Sequence, residues 1–175
     1  MSRSRATYVL GAVVSTLVLL LSCGGSEGRR TPVEGEPVPD MVLPDLRGNT
    51  FRLSDHLGEV ILINFWASWC GPCRRSFPWL NEMHTKYQQD GLVVIGVNLD
   101  ARQEDAAEFL EDYPAEFKIY FDTDATLAFQ YGIQAMPSSV VIGRDGKIRA
   151  SHSGFKVKQQ DEYEAILVEA LGDKP

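Results

Sequence analysis

The chain has 175 residues, with 17 Lys and Arg against 24 Asp and Glu, for a net charge of −7. An acidic balance of that size argues against nucleic acid as a partner and against broad electrostatic docking on anionic lipid. A solvated acidic surface accounts for it.

Met1 to Tyr8 carries Arg3 and Arg5 and no acid, and Val9 to Leu21 follows as an almost wholly apolar run of 13 residues. That run is shorter than the roughly 20 residues a spanning helix needs. A basic start, a short apolar core and a small residue before the cut make residues 1–22 a predicted secretory signal. Leu20-Leu21-Ser22-Cys23 resembles a bacterial lipobox, in which the Cys becomes the lipidated N-terminus. An uncleaved signal anchor is the other reading; both place the domain outside the cytoplasm, on the periplasmic face in a Gram-negative cell. Cleavage removes two Arg and no acid, leaving 15 basic against 24 acidic residues, a net −9.

Residues 23–36, rich in Gly, Pro, Glu and Arg, read as lipid anchor and flexible tether. Residues 37–175 are 139 in number, enough for one compact domain with its own core. Met41-Val42-Leu43 and Thr50-Phe51-Arg52 read as a short hairpin. Leu53 to Gly58 reads as a helical turn closed by glycine.

Val60 to Trp66 is apolar on both faces, as a central parallel strand should be, with Asn64 the exception. After Ala67-Ser68-Trp69-Cys70-Gly71-Pro72-Cys73, apolar Phe77, Leu80, Met83 and Tyr87 recur at helical spacing, so a helix is predicted from Cys73 to about Gln89, bent at Pro78. Two thiols thus sit on a strand-to-helix turn. The unpaired amides and positive dipole end of the helix point at Cys70 and stabilise its thiolate. Arg74 and Arg75 add positive charge on a solvent-facing turn. Cys70 is expected to be the exposed, attacking sulfur and Cys73 the shielded, resolving one.

Further on, Leu92–Leu99 is predicted as a strand joined to the first by a right-handed crossover. A helix over Gln103–Tyr113, a strand over Phe117–Phe121 and a helix over Ala125–Tyr131 come next. Met136-Pro137 opens a buried strand, Ser138–Gly143, and a turn at Arg144-Asp145-Gly146 leads to Lys147–His152. The last helix, Gln159–Leu171, is expected to be capped by Gly172. Asp100 is expected to be a solvated strand-end acid, and His84 a partly exposed helix residue.

WCGPC after an apolar strand, with a later Met-Pro before another, resembles the thioredoxin fold family. The opening Leu43-Pro44-Asp45-Leu46-Arg47-Gly48 and the extra helix–strand unit narrow the likeness to the TlpA/ResA/CcmG type, over roughly residues 37–171. The resemblance implies an α/β thioredoxin-like fold: a central mixed β-sheet flanked by helices, with an N-terminal β-hairpin and a central helix–strand insertion. It implies thiol–disulfide exchange by Cys70 and Cys73 with no cofactor beyond their redox-active disulfide, with Gly71 and Pro72 forming the active-site loop. It further implies a cis Met136–Pro137 bond, and substrate binding around Trp69, Met136 and Pro137, with the Met136 backbone pairing to an extended client. The implied partners are extracytoplasmic protein disulfides, including those of apocytochrome c, and a membrane thiol donor of the DsbD/CcdA type. Asn64 stands where ordinary thioredoxins hold a buried acid, so that acid's proton-accepting role does not transfer. No catalytic acid transfers to Asp100-Ala101 either.

Other chemistries fit less well. A disulfide across two residues closes almost no loop, so it would add little stability. Two Cys with His56, His84 and His152 scattered do not make a closed zinc shell. Ala67 stands where peroxiredoxins want Thr or Ser. Two alternatives stay open: a non-catalytic peptide-binding module of the same fold, in which Pro137 merely opens a strand, and an oxidising disulfide donor.

Overall fold

The computed structural model describes residues 32–173. The predicted signal segment and Cys23 lie outside the described residues. Strands β1 (Val42–Pro44) and β2 (Thr50–Arg52) form an antiparallel hairpin. The main elements follow as β3 (Val60–Trp66), α1 (Cys73–Tyr87), β4 (Leu92–Asn98), α2 (Gln103–Asp112) and β5 (Lys118–Phe121). After these come α3 (Thr126–Gln130), β6 (Ser138–Ile142), β7 (Ile148–Ser153) and α4 (Gln160–Gly172). The five-stranded sheet has the order β5-β4-β3-β6-β7. Its first three strands run parallel, β6 runs antiparallel to β3, and β7 runs antiparallel to β6. No helix among the described residues is long and apolar enough to cross a membrane.

Strand β3 is buried along its whole length because it sits in the middle of the sheet with a core on each face. Leu62 and Trp66 join one core with Phe77 and Leu80 of α1, Phe109 of α2 and Leu167 of α4. Ile61, Ile63 and Phe65 join the other with Phe51 of the hairpin and Leu127 of α3. Removing each such side chain from water stabilises the fold by about 1.5–3 kcal/mol. Beside the future site, the Trp66, Phe77 and Phe109 rings meet at centroid distances of 4.8–5.1 Å. These edge and tilted pairings add about 0.5–1.5 kcal/mol each beyond burial. Gly96 makes room for the cluster: a Cβ there would stand 3.1 Å from Trp66 Nε1 and 3.0 Å from Phe117.

Several boundaries differ from expectation for local reasons. Helix α1 gives way to a 3-10 turn over Gln88–Asp90, and Gly91 ends it at φ 91°. Pro78 lies inside α1 on its exposed side. Ala125 is not helical: it takes a left-handed φ of 56°, and α3 starts one residue later, where the Asp122 carboxylate accepts the Leu127 and Ala128 amides. Gly172 is the last residue of α4 rather than its cap; Asp173 follows in extended conformation. Gly35 and Glu36, expected in the tether, exchange backbone hydrogen bonds with Ile148.

His152 on β7 stacks on Tyr163 of α4, with ring centroids 4.2 Å apart. Burial lowers its pKa from 6.5 to about 4. The unfolded chain therefore takes up this proton first as pH falls, and stability present above pH 6.5 is lost down to about pH 4. Comparing pH 7.5 with 4.5, His152→Phe is expected to remove about 2–3 kcal/mol of the acid-induced loss, read from urea midpoints. An unchanged difference between the two pH values would contradict this assignment.

Candidate active site

The first parallel pairing ends where Trp66 faces Asn98, and β6 begins at Ser138 opposite Phe65. The C-terminal ends of β3 and β4 and the N-terminal end of β6 therefore meet at one end of the sheet. The loop Ala67–Pro72 leaves β3 there and enters α1. Pro72 sits before the helix with φ −62° and ψ −26°, already helical, and it has no amide to leave unpaired. Pro72 offers no side-chain cap, so the first amides of the helix turn to the loop before it.

Cys70 and Cys73 are joined by a disulfide, with Cα atoms 5.3 Å apart. The Cys73 amide donates to Cys70 Sγ at 3.2 Å and to the Cys70 carbonyl at 3.1 Å. A backbone donor at the helix N-terminus thus already addresses the Cys70 sulfur. Cys73 is 0% exposed, as expected of the shielded member of the pair. Cys70 is only 4% exposed, which corrects the expectation of an exposed residue: the disulfide and the turn hold it against the core, and Gly71 and Pro72 take the solvent-facing positions instead. Trp69 stands out at 70% exposure. Arg74 and Arg75 are solvent-facing, and the Arg74 guanidinium lies 5.6 Å over the ring of Tyr113, the residue that follows α2.

The Met136–Pro137 peptide is cis, in agreement with expectation. Pro137 is buried, while Met136 is half-buried and packs against the core cluster that contains both cysteines. Ser138 Oγ donates to the Ala135 carbonyl, and the Gly154 amide donates to the Pro137 carbonyl, so the loop is held on both sides. Beyond Met136 an open cleft of about 560 Å³ continues past Ala135 and Ile133 to Leu99 and α3.

Asn64 is buried and donates through Nδ2 to Ser139 Oγ at 2.9 Å, while its Oδ1 has no partner among the described residues. His84 is half-buried, as expected. Asp100 departs from expectation. It is 3% exposed, and its carboxylate accepts hydrogen bonds from the Ser68 amide, the Ser68 hydroxyl and the Asn98 side chain. Neither Ser68 nor Asn98 carries a sequence signal for this role. Among the described residues no cluster of three or more His, Cys, Asp and Glu side chains is arranged to hold a metal ion.

A disulfide at a strand-to-helix turn, facing a cis-proline loop across the end of a mixed sheet, defines a thioredoxin-like redox site. Comparison with known proteins agrees. Residues 34–151 match the model of the AhpC/TSA family. The thiol-disulfide oxidoreductase ResA of Bacillus thuringiensis is 31% identical over 157 residues, which is 84% of this chain and 91% of that protein. ResA of Geobacillus thermodenitrificans is 33% identical over 71% of this chain and 72% of its own length. A candidate thiol:disulfide interchange protein DsbE from Chlorobium tepidum superposes with a TM-score of 0.78 at 44% identity, covering 81% of this chain and all of that one. An exposed lipoprotein thioredoxin of Streptococcus pneumoniae superposes at 0.66 with 28% identity, over 75% of this chain and 99% of that one. The chain belongs to the thioredoxin-like AhpC/TSA family, among its thiol-disulfide oxidoreductases of the TlpA/ResA/CcmG type.

Proposed function

We propose that this protein is a membrane-tethered, extracytoplasmic dithiol reductant of protein disulfides, with Cys70 as nucleophile and Cys73 as resolving thiol. One observation carries the assignment of roles: the Cys73 amide, first in α1, donates to Cys70 Sγ. In the reduced protein the same donor and the helix dipole favour negative charge on that sulfur. The Cys70 thiolate attacks a client disulfide, forming a mixed disulfide and releasing one client thiolate. Cys73, as thiolate, then attacks Cys70 Sγ, releasing the second client thiolate and leaving the internal disulfide. Two electrons pass to the client, and a membrane-embedded dithiol donor of the DsbD/CcdA type returns them. The cysteine pair carries the electrons, so no further cofactor enters.

What surrounds the pair supports this direction. Gly71-Pro72 places no cation between the thiols, and the charges of Arg74 and Arg75 are screened by solvent. The reduced form therefore gains modest stabilisation, which keeps the couple reducing. Trp69, Met136 and Pro137 form the client surface, with the Met136 backbone available to pair with an extended segment that presents its sulfur to Cys70. The ResA and DsbE likeness supports thiol–disulfide exchange as the activity; extracytoplasmic clients, apocytochrome c among them, are what the TlpA/ResA/CcmG-type resemblance implies. The likeness to an exposed lipoprotein thioredoxin supports a lipid anchor at Cys23, following a signal over 1–22 and preceding a tether that gives way to the domain by Gly35.

Cys73→Ala tests the roles and finds the clients together. The variant is expected to accumulate reducible covalent complexes with extracytoplasmic proteins through Cys70, recovered from membranes after acid quenching. No covalent complexes in Cys73→Ala, together with non-covalent client capture that survives in Cys70→Ala/Cys73→Ala, would favour a binding module without redox turnover.

A further inference from the structure

Beyond Trp66, β3 no longer pairs with β4 in the ordinary way. The last backbone bond between them runs from the Leu99 amide to the Trp66 carbonyl, at 2.9 Å. Two residues later the chain must turn outward to carry Trp69 and Cys70, and the Ser68 amide is left without a strand partner. Asp100 takes that place with its side chain. Its Oδ2 accepts the Ser68 amide at 2.9 Å and its Oδ1 accepts the Ser68 hydroxyl at 3.0 Å.

The carboxylate is itself held in position. Asn98 Nδ2 donates to Asp100 Oδ2 at 2.7 Å, and the Asp100 amide donates back to Asn98 Oδ1 at 3.0 Å. Asn98 is fully buried in β4, so the clamp is anchored in the rigid sheet. All three donors to the carboxylate are neutral. Burying a charge on neutral donors alone is costly, and it is tolerated only where those hydrogen bonds are well made. On the far side of the turn, the Cys70 amide donates to the Ala67 carbonyl at 3.1 Å. The turn is thus tied at Ser68 from below and at Cys70 from within.

We infer that Asp100 is a positioning residue for the redox site: through its paired bonds to Ser68 it sets the Trp69–Cys70 turn, and with it the line along which Cys70 Sγ meets a disulfide. In-line displacement at sulfur needs the attacking atom held on one axis, and small misplacements are expensive in rate. Asp100 touches neither thiol nor client in this role and acts only through Ser68.

The test separates position from charge and from bulk stability. Asp100→Asn keeps an oxygen for the Ser68 amide and offers an NH2 group to Ser68 Oγ, so both bonds survive while the charge is lost. Asp100→Leu keeps the bulk and loses every acceptor. In the reduced full chain, exchange of Cys70 with an aromatic disulfide probe is expected to be about tenfold slower in Asp100→Leu and within about twofold of wild type in Asp100→Asn. Ser68→Ala should also slow exchange, and adding it to Asp100→Leu should cost little more, since the two residues act as one unit. The pH profile of Cys70 alkylation should keep its midpoint in Asp100→Asn. An Asp100→Asn variant as slow as Asp100→Leu would assign the effect to charge and overturn the inference. Wild-type exchange with only a lowered melting temperature in Asp100→Leu would reduce Asp100 to a structural residue. Should Asp100→Leu fail to fold, Asp100→Ala, which also removes both acceptors, takes its place: exchange at the wild-type rate there would equally overturn the inference.

Discussion

Cys70→Ser is expected to lower thiol–disulfide turnover on the order of 10³-fold or more, because serine at the same place cannot form the mixed disulfide. The loss should come with little change in melting temperature. The Cys70–Cys73 bridge closes a loop of two intervening residues, so it constrains the unfolded chain very little. Cys73→Ser should behave differently. Cys70 keeps the geometry at the end of β3 and stays reactive, but the cycle stops at the mixed disulfide. Brief iodoacetamide treatment of the reduced wild-type protein at neutral pH should label Cys70 before Cys73. The small exposure of Cys70 in the disulfide form is no obstacle, since it is the helix-end amide at Sγ, rather than open surface, that distinguishes the two sulfurs. Preferential labelling of Cys73 would reverse the proposed roles, and turnover surviving in Cys70→Ser would remove this sulfur from the mechanism.

Cys23→Ala, with the signal still cleaved, should move the protein from the membrane fraction to the soluble fraction almost completely. Attached acyl chains contribute about 0.8 kcal/mol per buried CH2, and two chains together hold a protein at a bilayer stably. The remaining tether has nothing comparable, and the domain is acidic, with no electrostatic attraction to anionic lipid. Labelled fatty acid should enter the wild-type protein and not the variant. A wild-type protein that never takes up label would show that the segment before Cys23 is not a lipoprotein signal. Because Cys23 lies 47 residues before Cys70 in the chain and outside the redox pair, purified variant is expected to keep wild-type exchange rates on a soluble disulfide.

Much of the scaffold could be read directly from residues. Val60–Trp66 is a strand with the bounds expected of it, because an uninterrupted apolar run allows a central strand and little else. The helix starts at Cys73, as expected, because Pro72 sets the backbone before it. The fold class and the cis Met136–Pro137 bond came through family likeness rather than pattern, since no local periodicity indicates a cis peptide. Features that depend on distant partners stayed hidden. Asp100 after a strand looks like any solvated acid until Ser68, 32 residues earlier, is seen to end at the same edge of the sheet. Arg144 looks like an ordinary turn residue, yet its guanidinium joins the carbonyls of Gly58, Asp90 and Leu171 at the opposite end. Ala125 gives no sign in sequence of its left-handed backbone, which follows from the Asp122 carboxylate capping the helix after it.

Redox equilibration bears most directly on the central claim that the Cys70–Cys73 pair is a reversible, reducing couple. The full chain is brought to equilibrium in thiol buffers of known potential, quenched, alkylated and weighed by mass spectrometry. A single two-electron transition is expected, with a midpoint nearer the thioredoxin end, about −270 mV, than the DsbA end, about −120 mV. Gly71-Pro72 and the solvent-exposed Arg74 and Arg75 leave the reduced form without the strong local stabilisation an oxidant needs. A midpoint at the oxidising end would make the protein a disulfide donor, and a pair that does not titrate at all would contradict redox turnover altogether.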